Sequence, residues 1–352
     1  MTRSPLSTGS WTGPRERPLL KKWAGKLTGK VERIFIGLDT SAYTTSLALV
    51  DQAERLLWEK RLPLPVGKGG LGLRQSEAVF THLQNLPRLW AEGASWLKLA
   101  TPAGVAAATQ PRPLEGSYMP VFKVSEAFGL FLAQSLGLFF MPRSHQEGHV
   151  AAGLWSAGLA PGRYLVLHLS GGTTEILAVE EQNCGALQIE RVGGSADLNA
   201  GQFIDRIGVA LGFPFPAGPH LESLAREAAQ VTEAGTVTLP LAVKGSAVSF
   251  SGPESHARRL LARGCPGAKL ARAVETCIAD SLSKAARAVP GFAGRYQAVL
   301  AVGGVAANAF IRARLAEGLE PLPFYCAEPR FSGDNAVGLA VLAARSGRRG
   351  GG

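Results

Sequence analysis

The chain of 352 residues is 46% hydrophobic and 18% charged, which indicates a globular protein with room for two domains and excludes a disordered chain. Its net charge of +10 is typical of nucleic-acid binding, but residues 1–33 carry a net +6 and residues 345–349 a net +3. The body between these segments is close to neutral, so the charge does not require a basic face on the folded part.

Cysteine spacing and hydropathy indicate the cellular compartment in which we expect the protein. The cysteines at positions 184, 265, 277 and 326 form no CxxC pair, which favours reduced thiols over a disulfide framework or a zinc ribbon. The longest apolar stretch, residues 128–141, is too short to cross about 30 Å of hydrocarbon, and no apolar core follows the N-terminal charges. We therefore expect a cytoplasmic protein without a membrane partner.

The first part of the chain predicts a tail and then a β-meander. Residues 1–31 are rich in Pro, Gly, Ser and bases, which favours a flexible basic tail. Residues 33–51 contain an apolar strand, a small-residue turn and a second apolar strand, and residues 55–64 form a third strand-like run. Apolar residues at helical spacing predict helices over 76–99 and 124–136.

The same strand–turn–strand pattern returns 130 residues later. Residues 163–181 repeat it, and residues 187–192 supply the third strand-like run. Helices are predicted over 202–211, 221–229 and 271–289, followed by a buried strand at 297–302 and a last helix at 335–344. Two copies of one β-meander indicate a duplicated α/β domain, and residues 346–352 form a second predicted tail.

Three turns with small or hydroxyl residues suggest where the two copies meet a ligand. They lie at residues 39–46, 170–174 and 303–308. Their order is typical of the α/β, two-lobed fold of the actin, Hsp70 and sugar kinase superfamily (ASKHA, ribonuclease H-like), whose lobes close over a nucleotide and whose turns face it. We predict an N-terminal lobe at 32–160 plus 331–345 and a C-terminal lobe at 161–330.

His145 and His149 form an H-x-x-x-H pair. On a helix, residues i and i+4 share a face, so both imidazoles can reach one metal ion. The pattern differs from the HExxH of zinc proteases, because Gln146 follows the first histidine and Glu147 is displaced by one position. The alternative is two surface histidines that lie one turn apart by chance.

Asp334 is a candidate third ligand. It lies in a small-residue turn just before the last predicted helix. Because that helix must pack on some apolar surface, Asp334 can reach back to the first lobe. Two histidines and one aspartate suit iron, zinc or manganese and leave positions open for a substrate oxygen. The alternative role for Asp334 is a helix N-cap, which Asn335 can fill instead.

Further positions can contact a nucleotide. The backbone N–H groups of Ser170, Gly171 and Gly172 can cradle phosphate oxygens, although an ordinary hairpin turn has the same composition. Asp205 can accept ribose hydroxyls or approach a metal ion, and the alternative is a solvated helix face. Asn308 can contact a ribose or base, or cap the helix that follows it.

Together these motifs resemble the universal tRNA threonylcarbamoyladenosine synthase family, also described as O-sialoglycoprotein endopeptidase-like, over residues 33–344. The family's NHxxGH metal motif corresponds to residues 144–149, and its metal aspartate to Asp334. Its F-S-F-S-G segment corresponds to residues 248–252. The substrate- and nucleotide-binding positions that the resemblance implies are His168, Leu169, Ser170, Gly171, Gly172, Asp205, Gly218 and Asn308.

The resemblance implies an activity. Members transfer a threonylcarbamoyl group from threonylcarbamoyl-AMP to N6 of the adenosine next to the anticodon, in tRNAs that read codons beginning with A. The implied cofactor is one divalent metal ion, iron or alternatively zinc. The implied partners are threonylcarbamoyl-AMP, tRNA and either the proteins of a threonylcarbamoyl transfer complex or a second copy of the chain.

Several positions depart from the family pattern, which indicates a divergent bacterial paralogue. The replacements are Tyr43 and Thr44 in the first turn, Thr173 for a histidine, Leu198 and Gln202 for acids, and Glu254 for a lysine. An alternative function is therefore a non-catalytic paralogue that acts as a partner of the housekeeping enzyme. A metalloprotease is disfavoured, because no general base occupies the HExxH position.

Overall fold

The computed structural model describes residues 31–65, 73–182, 185–230 and 236–348. The predicted N-terminal tail therefore lies outside the described residues, apart from Val31. The same holds for residues 349–352 of the predicted C-terminal tail.

The first lobe is built on a five-stranded sheet with the strand order β3-β2-β1-β4-β5. Its elements are β1 (Arg33–Thr40), β2 (Thr44–Asp51), β3 (Leu56–Pro63), α1 (Gln75–Gly93), β4 (Thr101–Gln110), α2 (Phe122–Leu136), β5 (Phe139–Ser144) and α3 (His145–Ser156). Strand β1 runs antiparallel to β2 and parallel to β4, and β4 runs parallel to β5.

The second lobe is built on a seven-stranded sheet with the strand order β12-β11-β6-β7-β8-β10-β9. Its elements are β6 (Arg163–Leu169), β7 (Thr174–Glu181), β8 (Leu187–Ser195), α4 (Ala200–Ala210), α5 (Gly218–Arg226), β9 (Ala242–Lys244), β10 (Ala247–Ser249), α6 (Ser251–Ala262), α7 (Gly267–Arg287), α8 (Phe292–Arg295), β11 (Ala298–Val302), α9 (Ala309–Gly318) and β12 (Phe324–Cys326). The chain then returns to the first lobe through α10 (Pro329–Ser332) and α11 (Val337–Gly347), which packs against the first sheet.

The predicted duplication is confirmed by the topology. The order β8-β7-β6-β11-β12 repeats the order β3-β2-β1-β4-β5 of the first lobe, and each strand pair runs in the same relative direction. Even the hairpin registers correspond: Thr40 faces Thr45 at the first turn, and Leu169 faces Thr174 at the second. The chain has the two-lobed α/β fold that the three turns predicted.

Two predicted segments end differently in the structure. The helix predicted over 76–99 ends at Gly93 and continues as a 3-10 turn at Ala94–Lys98. A Cβ atom added to Gly93 would lie 3.1 Å from the Trp58 ring. The apolar stretch 128–141 divides at Gly137, whose φ of 66° ends α2 before β5 begins. None of the described helices has both the length and the apolar character that a membrane crossing requires.

Strand β4 was not predicted at all. Its sequence, TPAGVAAATQ, is rich in alanine, which favours helices over strands. Residues 104–108 of β4 are nevertheless buried between the parallel strands β1 and β5. Parallel strands are covered on both faces, so β4 lacks the alternation that would reveal it in the sequence.

The C-terminal helix extends past the predicted lobe boundary at residue 345. Helix α11 ends at Gly347, and Arg345 is buried in ion pairs with Glu54 and Glu181. Arg348 also contacts Glu54, at 2.7 Å. Two of the three arginines that the sequence assigned to a basic tail therefore neutralise acids of the body. The division into lobes stays a prediction, which the two separate sheets support.

Helix α11 approaches α3 unusually closely. A Cβ atom added to Gly338 would lie 2.0 Å from the carbonyl oxygen of Gly148, so only glycine permits this contact. On its other side, α3 places Val150 and Leu154 in one apolar cluster with residues of the second sheet. Helix α3 is thus buried between the lobes, with the start of α11 held beside its first turn.

Candidate metal centre and nucleotide turns

Three predicted ligands converge at the start of α3. The donor atoms of His145, His149 and Asp334 lie within 4.8 Å of one another, and in the described part of the chain no other such cluster is found. The two Nε2 atoms are 3.1 Å apart. Asp334 Oδ1 lies 3.2 Å from His149 Nε2 and 3.6 Å from His145 Nε2.

A capping box fixes the histidines on one helix face. The Ser144 hydroxyl accepts from the Glu147 N–H at 3.1 Å, and the Glu147 carboxylate accepts from the Ser144 N–H at 2.6 Å. This pair makes Ser144 the N-cap, so the helix begins at His145. His149 therefore follows one turn later on the same side.

Asp39 and Ser41, at the first turn, support two of the ligands. The Asp39 carboxylate, 1% exposed at the end of β1, lies 2.7 Å from His145 Nδ1. With the proton on Nδ1, the lone pair of Nε2 points into the cluster, as is usual for metal-binding histidines. The Ser41 hydroxyl donates to the second oxygen of Asp334.

The electrostatics of the cluster follow from this arrangement. Burial opposes a charge on His145, but Asp39 and Asp334 outweigh it and raise the pKa of this imidazole to about 10. Burial also opposes the charge of Asp334, yet hydrogen bonds from both histidines hold the pKa of its carboxyl well below the usual value. Burial, with the neighbouring His149 and His145, holds the pKa of His168 well below 6.5.

The donor set fits a divalent cation. Ligands about 2.1 Å from one ion lie roughly 3 Å from each other, which is the spacing of these nitrogen and oxygen atoms. Both Nε2 atoms and one oxygen of Asp334 face the same point, so a divalent cation can take the place of the protons between them. Imidazole and carboxylate donors suit iron, zinc or manganese.

The second turn, residues 170–173, differs from the first turn in that its exposed groups are backbone atoms and not side chains. A Cβ added to Gly171 or Gly172 would meet nothing within 4 Å, so the turn is open on that side. Its other side is covered by glycines: a Cβ on Gly201 would lie 2.7 Å from Gly171 Cα, and one on Gly303 would lie 2.2 Å from the Leu169 oxygen. The structure thus joins the second and third predicted turns.

The other predicted nucleotide residues have local structural partners. Asp205 accepts from the Ala217 N–H at 2.8 Å and is half-buried, which raises its pKa, so it does not lie on a solvated helix face. Gly218 is the first residue of α5. Asn308 caps α9 through the Ile311 N–H at 2.9 Å and donates to Glu275 at 2.6 Å. Their contacts to a nucleotide stay predictions.

His168 lies against the metal cluster rather than on the nucleotide turn. Its ring centroid is 5.2 Å from that of His149, and its Nδ1 atom is buried without a partner in the described residues. The structure therefore brings four of the predicted site residues together, namely the three ligands and His168.

The sequence missed the roles of Asp39 and Ser41. It placed both in a turn that faces phosphate, whereas their side chains contact the ligands. They are 106 and 293 residues away from their partners along the chain, so no local spacing links them. The one sequence feature that could have indicated a role for Asp39 is its carboxylate near the end of an otherwise apolar strand.

Three of the departures from the family pattern serve the fold. Leu198 is buried in the core of the second lobe. Gln202 accepts from the Asn199 N–H at 3.1 Å and completes the cap of α4. Glu254 is buried and pairs with Arg258 at 2.5 Å.

The sequence matches the family described as tRNA N6-adenosine threonylcarbamoyltransferase over residues 66–341. It is 30% identical to the enzyme of that name from Rhodospirillum rubrum over 308 residues, which cover 80% of each chain. It is 29% identical to the enzyme of that name from Thermus thermophilus, over 90% of this chain and 93% of the other.

A relative from Methanothermobacter thermautotrophicus carries an additional part. It is described as a probable bifunctional tRNA threonylcarbamoyladenosine biosynthesis protein and is 28% identical over 311 residues. The match covers 87% of this chain but only 54% of that protein. The chain therefore spans about half the length of this relative.

Solved structures share the fold at low sequence identity. HypF from T. kodakarensis superposes with a TM-score of 0.58 at 12% identity, over 91% of this chain and 48% of that protein. Component A of the (R)-2-hydroxyglutaryl-CoA dehydratase from Acidaminococcus fermentans superposes with a TM-score of 0.52 at 13% identity, over 90% and 100%. These similarities support the two-lobed architecture.

Proposed function

The chain belongs to the tRNA N6-adenosine threonylcarbamoyltransferase family, and on that premise we propose that it transfers a threonylcarbamoyl group from threonylcarbamoyl-AMP to N6 of the adenosine next to the anticodon in tRNA. The observation that carries the proposal is the cluster of His145, His149 and Asp334, in which the donor atoms lie within 4.8 Å. This cluster occurs in a chain that matches the family over residues 66–341.

The proposed metal is iron, with zinc as the alternative, held by the two histidines and the aspartate. Bound there, a divalent ion would supply Lewis-acid polarisation of the carbamoyl group. Asp39 keeps the proton on His145 Nδ1, and Ser41 holds one oxygen of Asp334, so the other oxygen and both Nε2 atoms stay directed at one point.

The nucleotide part of the donor is assigned to the second lobe. Gly171 and Gly172 leave their backbone open to close approach, which suits phosphate oxygens. We assign ribose and base contacts to Asp205, Gly218 and Asn308. With donor and acceptor held across the cleft, orientation supplies much of the rate enhancement.

The alternative function is a non-catalytic paralogue that acts as a partner or regulator of the housekeeping enzyme. The observation that favours it is the structural use of three replaced positions. Leu198 fills the core, Gln202 caps a helix and Glu254 forms a buried ion pair, so none of the three offers an acid to the cleft.

The proposed partners are tRNA and either proteins of a threonylcarbamoyl transfer complex or a second copy of the chain, in the cytoplasm. Exposed apolar side chains support a protein partner. Phe80 and Leu83 on α1 are 62% and 57% exposed, and Phe131 on α2 is 65% exposed.

Genetic complementation tests the proposal. The chain is expressed in a bacterium depleted of its housekeeping enzyme, and tRNA nucleosides are measured by mass spectrometry. We expect the wild type to restore threonylcarbamoyladenosine, and His145→Ala and Asp334→Ala to lose both bound metal and rescue. His256→Ala, which changes a histidine on α6 outside the cluster, is the matched control and keeps both.

Two results would decide against the proposal. Wild-type protein that binds neither iron nor zinc on titration would remove its basis. Metal-loaded protein that captures the housekeeping enzyme without restoring the modified nucleoside would establish the non-catalytic alternative.

A further inference from the structure

A cavity of about 320 Å³ opens where the two lobes meet, next to the second turn. The first lobe contributes Arg112, from the segment after β4, and Gln146 of α3. The second lobe contributes Thr173 of the turn, Arg191 of β8 and Asn199 before α4. The cavity therefore adjoins both the metal-bearing helix and the nucleotide turn.

Two arginines from different lobes share one carboxylate in the wall of this cavity. Arg112 lies 3.0 Å from Glu175 and Arg191 lies 3.8 Å from the same oxygen. The other oxygen of Glu175 accepts from Gln146 at 2.7 Å, and Gln146 lies between the two metal-binding histidines in sequence. Glu175 thus sets the position of both guanidinium groups relative to the metal centre.

The cations are exposed, whereas the carboxylate that holds them is not. The side chains of Arg112 and Arg191 are 45% and 54% exposed, against 7% for Glu175. A guanidinium group carries five N–H donors, and Arg191 uses another of them on the Ser195 carbonyl at 3.1 Å. Several donors of the pair therefore remain for a ligand in the cavity.

The second acid of the cavity wall, Asp197, is saturated with hydrogen bonds. It accepts from the hydroxyls of Ser249 and Ser251 and from the N–H groups of Phe250 and Leu198. These donors disperse its negative charge at the start of α6. Asp197 is itself exposed, so the wall presents the two arginines together with a carboxylate whose oxygens already accept hydrogen bonds.

We infer that this cavity is a subsite for a phosphodiester group of the RNA acceptor, held by Arg112 and Arg191. The inference rests on the proposed function. Two guanidinium groups with free forked donors match the oxygen geometry of a phosphate. The phosphate of the donor is assigned to the N–H groups of the second turn, which leaves these arginines for the backbone of the acceptor.

The position of the subsite explains what it does. One phosphate fixed beside α3 limits where the neighbouring base can lie, so the adenine amine is presented to the metal centre. Phosphate contacts position a nucleic acid without reading its sequence. The pair therefore orients the acceptor and bridges the lobes at the same time.

The experiment measures binding of a synthetic RNA anticodon stem-loop by fluorescence anisotropy at several salt concentrations, and of AMP by calorimetry. In the double variant Arg112→Gln and Arg191→Gln, we expect RNA affinity to fall about tenfold and the salt slope to decrease by about 0.7 per lost contact. AMP affinity stays unchanged. Arg163→Gln is the control, because Arg163 is equally exposed and ion-paired but lies at the opposite end of β6 from the turn.

A single variant, Glu175→Gln, gives a prediction of opposite sign. It removes the negative charge behind the two arginines, so RNA affinity rises several-fold if they bind phosphate. A cluster that only joins the lobes would give a less stable protein and no tighter binding. The free energy of unfolding, measured in urea, separates the two effects.

Each outcome has one meaning. Unchanged RNA affinity in the double variant overturns the subsite and leaves the proposed function intact. A fall in AMP affinity alone also overturns it and assigns the arginines to the donor phosphate. Wild-type protein that binds no stem-loop removes the subsite and the proposed tRNA activity together.

Discussion

The two hairpins β1–β2 and β6–β7 have the same topology and use it for different chemistry. The first turn contributes the side chains of Asp39 and Ser41, which are buried against the predicted metal ligands His145 and Asp334. The second contributes the backbone of Gly171 and Gly172, with free space around both. After duplication, one turn supports ligands by carboxylate and hydroxyl, and the other leaves room for phosphate.

The ends of the same hairpins differ in a second way. Asp51 is the last residue of β2, and Glu181 is the last residue of β7. Asp51 accepts from the Arg55 side chain and from two backbone N–H groups of the turn between β2 and β3. Glu181 is fully buried and pairs with Arg345 of α11, which also holds Glu54 of the first lobe. The first acid closes a turn, whereas the second connects the lobes.

The largest effect expected from this difference is on stability. Arg345→Gln leaves Glu181 buried without its cation, so we expect a loss of about 3 kcal/mol in the free energy of unfolding. Arg55→Gln is the matched change, because it removes the cation that pairs with Asp51. We expect it to lower the free energy of unfolding by about 1 kcal/mol or less, since Asp51 keeps its backbone donors. Urea unfolding of both variants measures this, and equal losses would contradict the comparison.

The same variant predicts a pH dependence. Burial, opposed by Arg345 and augmented by Glu54, raises the pKa of Glu181 above its value of 4.5 in the unfolded chain. The folded state therefore binds this proton more tightly, and stability increases as the pH falls from that raised pKa towards 4.5. Loss of Arg345 raises the pKa further, so the Arg345→Gln defect should be smaller at pH 5 than at pH 7.5.

A second prediction concerns the Asp39 side chain, which the first turn places beside His145. Asp39→Asn removes the carboxylate that keeps His145 in its binding tautomer, so metal affinity should fall about 10- to 100-fold. Zinc titration by calorimetry measures the change. Ser170→Ala, one residue into the second turn, is the control and leaves metal affinity as in the wild type. Equal zinc affinity of Asp39→Asn and wild type would show that Asp39 has no supporting role.

The smallest effect is expected at the second turn. Gly171→Ala places a methyl group where a phosphate should approach, so AMP affinity falls about tenfold. Nothing lies within 4 Å of the added Cβ, so the free energy of unfolding changes by about 1 kcal/mol at most. Gly294→Ala, which also adds its Cβ in open space, is the control with unchanged AMP binding. Full AMP affinity in Gly171→Ala would exclude phosphate from this turn.

The fold was predictable mainly because one strand–turn–strand pattern occurs twice in the chain. The copies at 33–51 and 163–181 became β1–β2 and β6–β7, and their third strands became β3 and β8. Strand β4 was not predicted from the sequence, because its alanines favour a helix. Its buried position between two strands overrides that preference.

The candidate site, like the fold, was predicted in part from the sequence. The i, i+4 spacing predicted that His145 and His149 lie side by side, because a single helix is enough to place both on one face. Asp334 needed the further assumption that its helix packs on the first lobe, and the contact between Gly338 and Gly148 provides that packing. Nothing in the sequence connected Arg112 with Arg191 and Glu175, which meet only when the lobes are joined.

The sequence by itself therefore determined the duplicated α/β architecture, the resemblance to the family and the three side chains that converge in the candidate metal centre. These follow from periodicity, repeats and short motifs, which depend on neighbours along the chain. Only the tertiary structure decided that Asp39 and Ser41 support the ligands, that Arg345 connects the lobes and that two arginines flank the cleft. These contacts join residues far apart in the chain, and their partners are set by how helices and sheets pack.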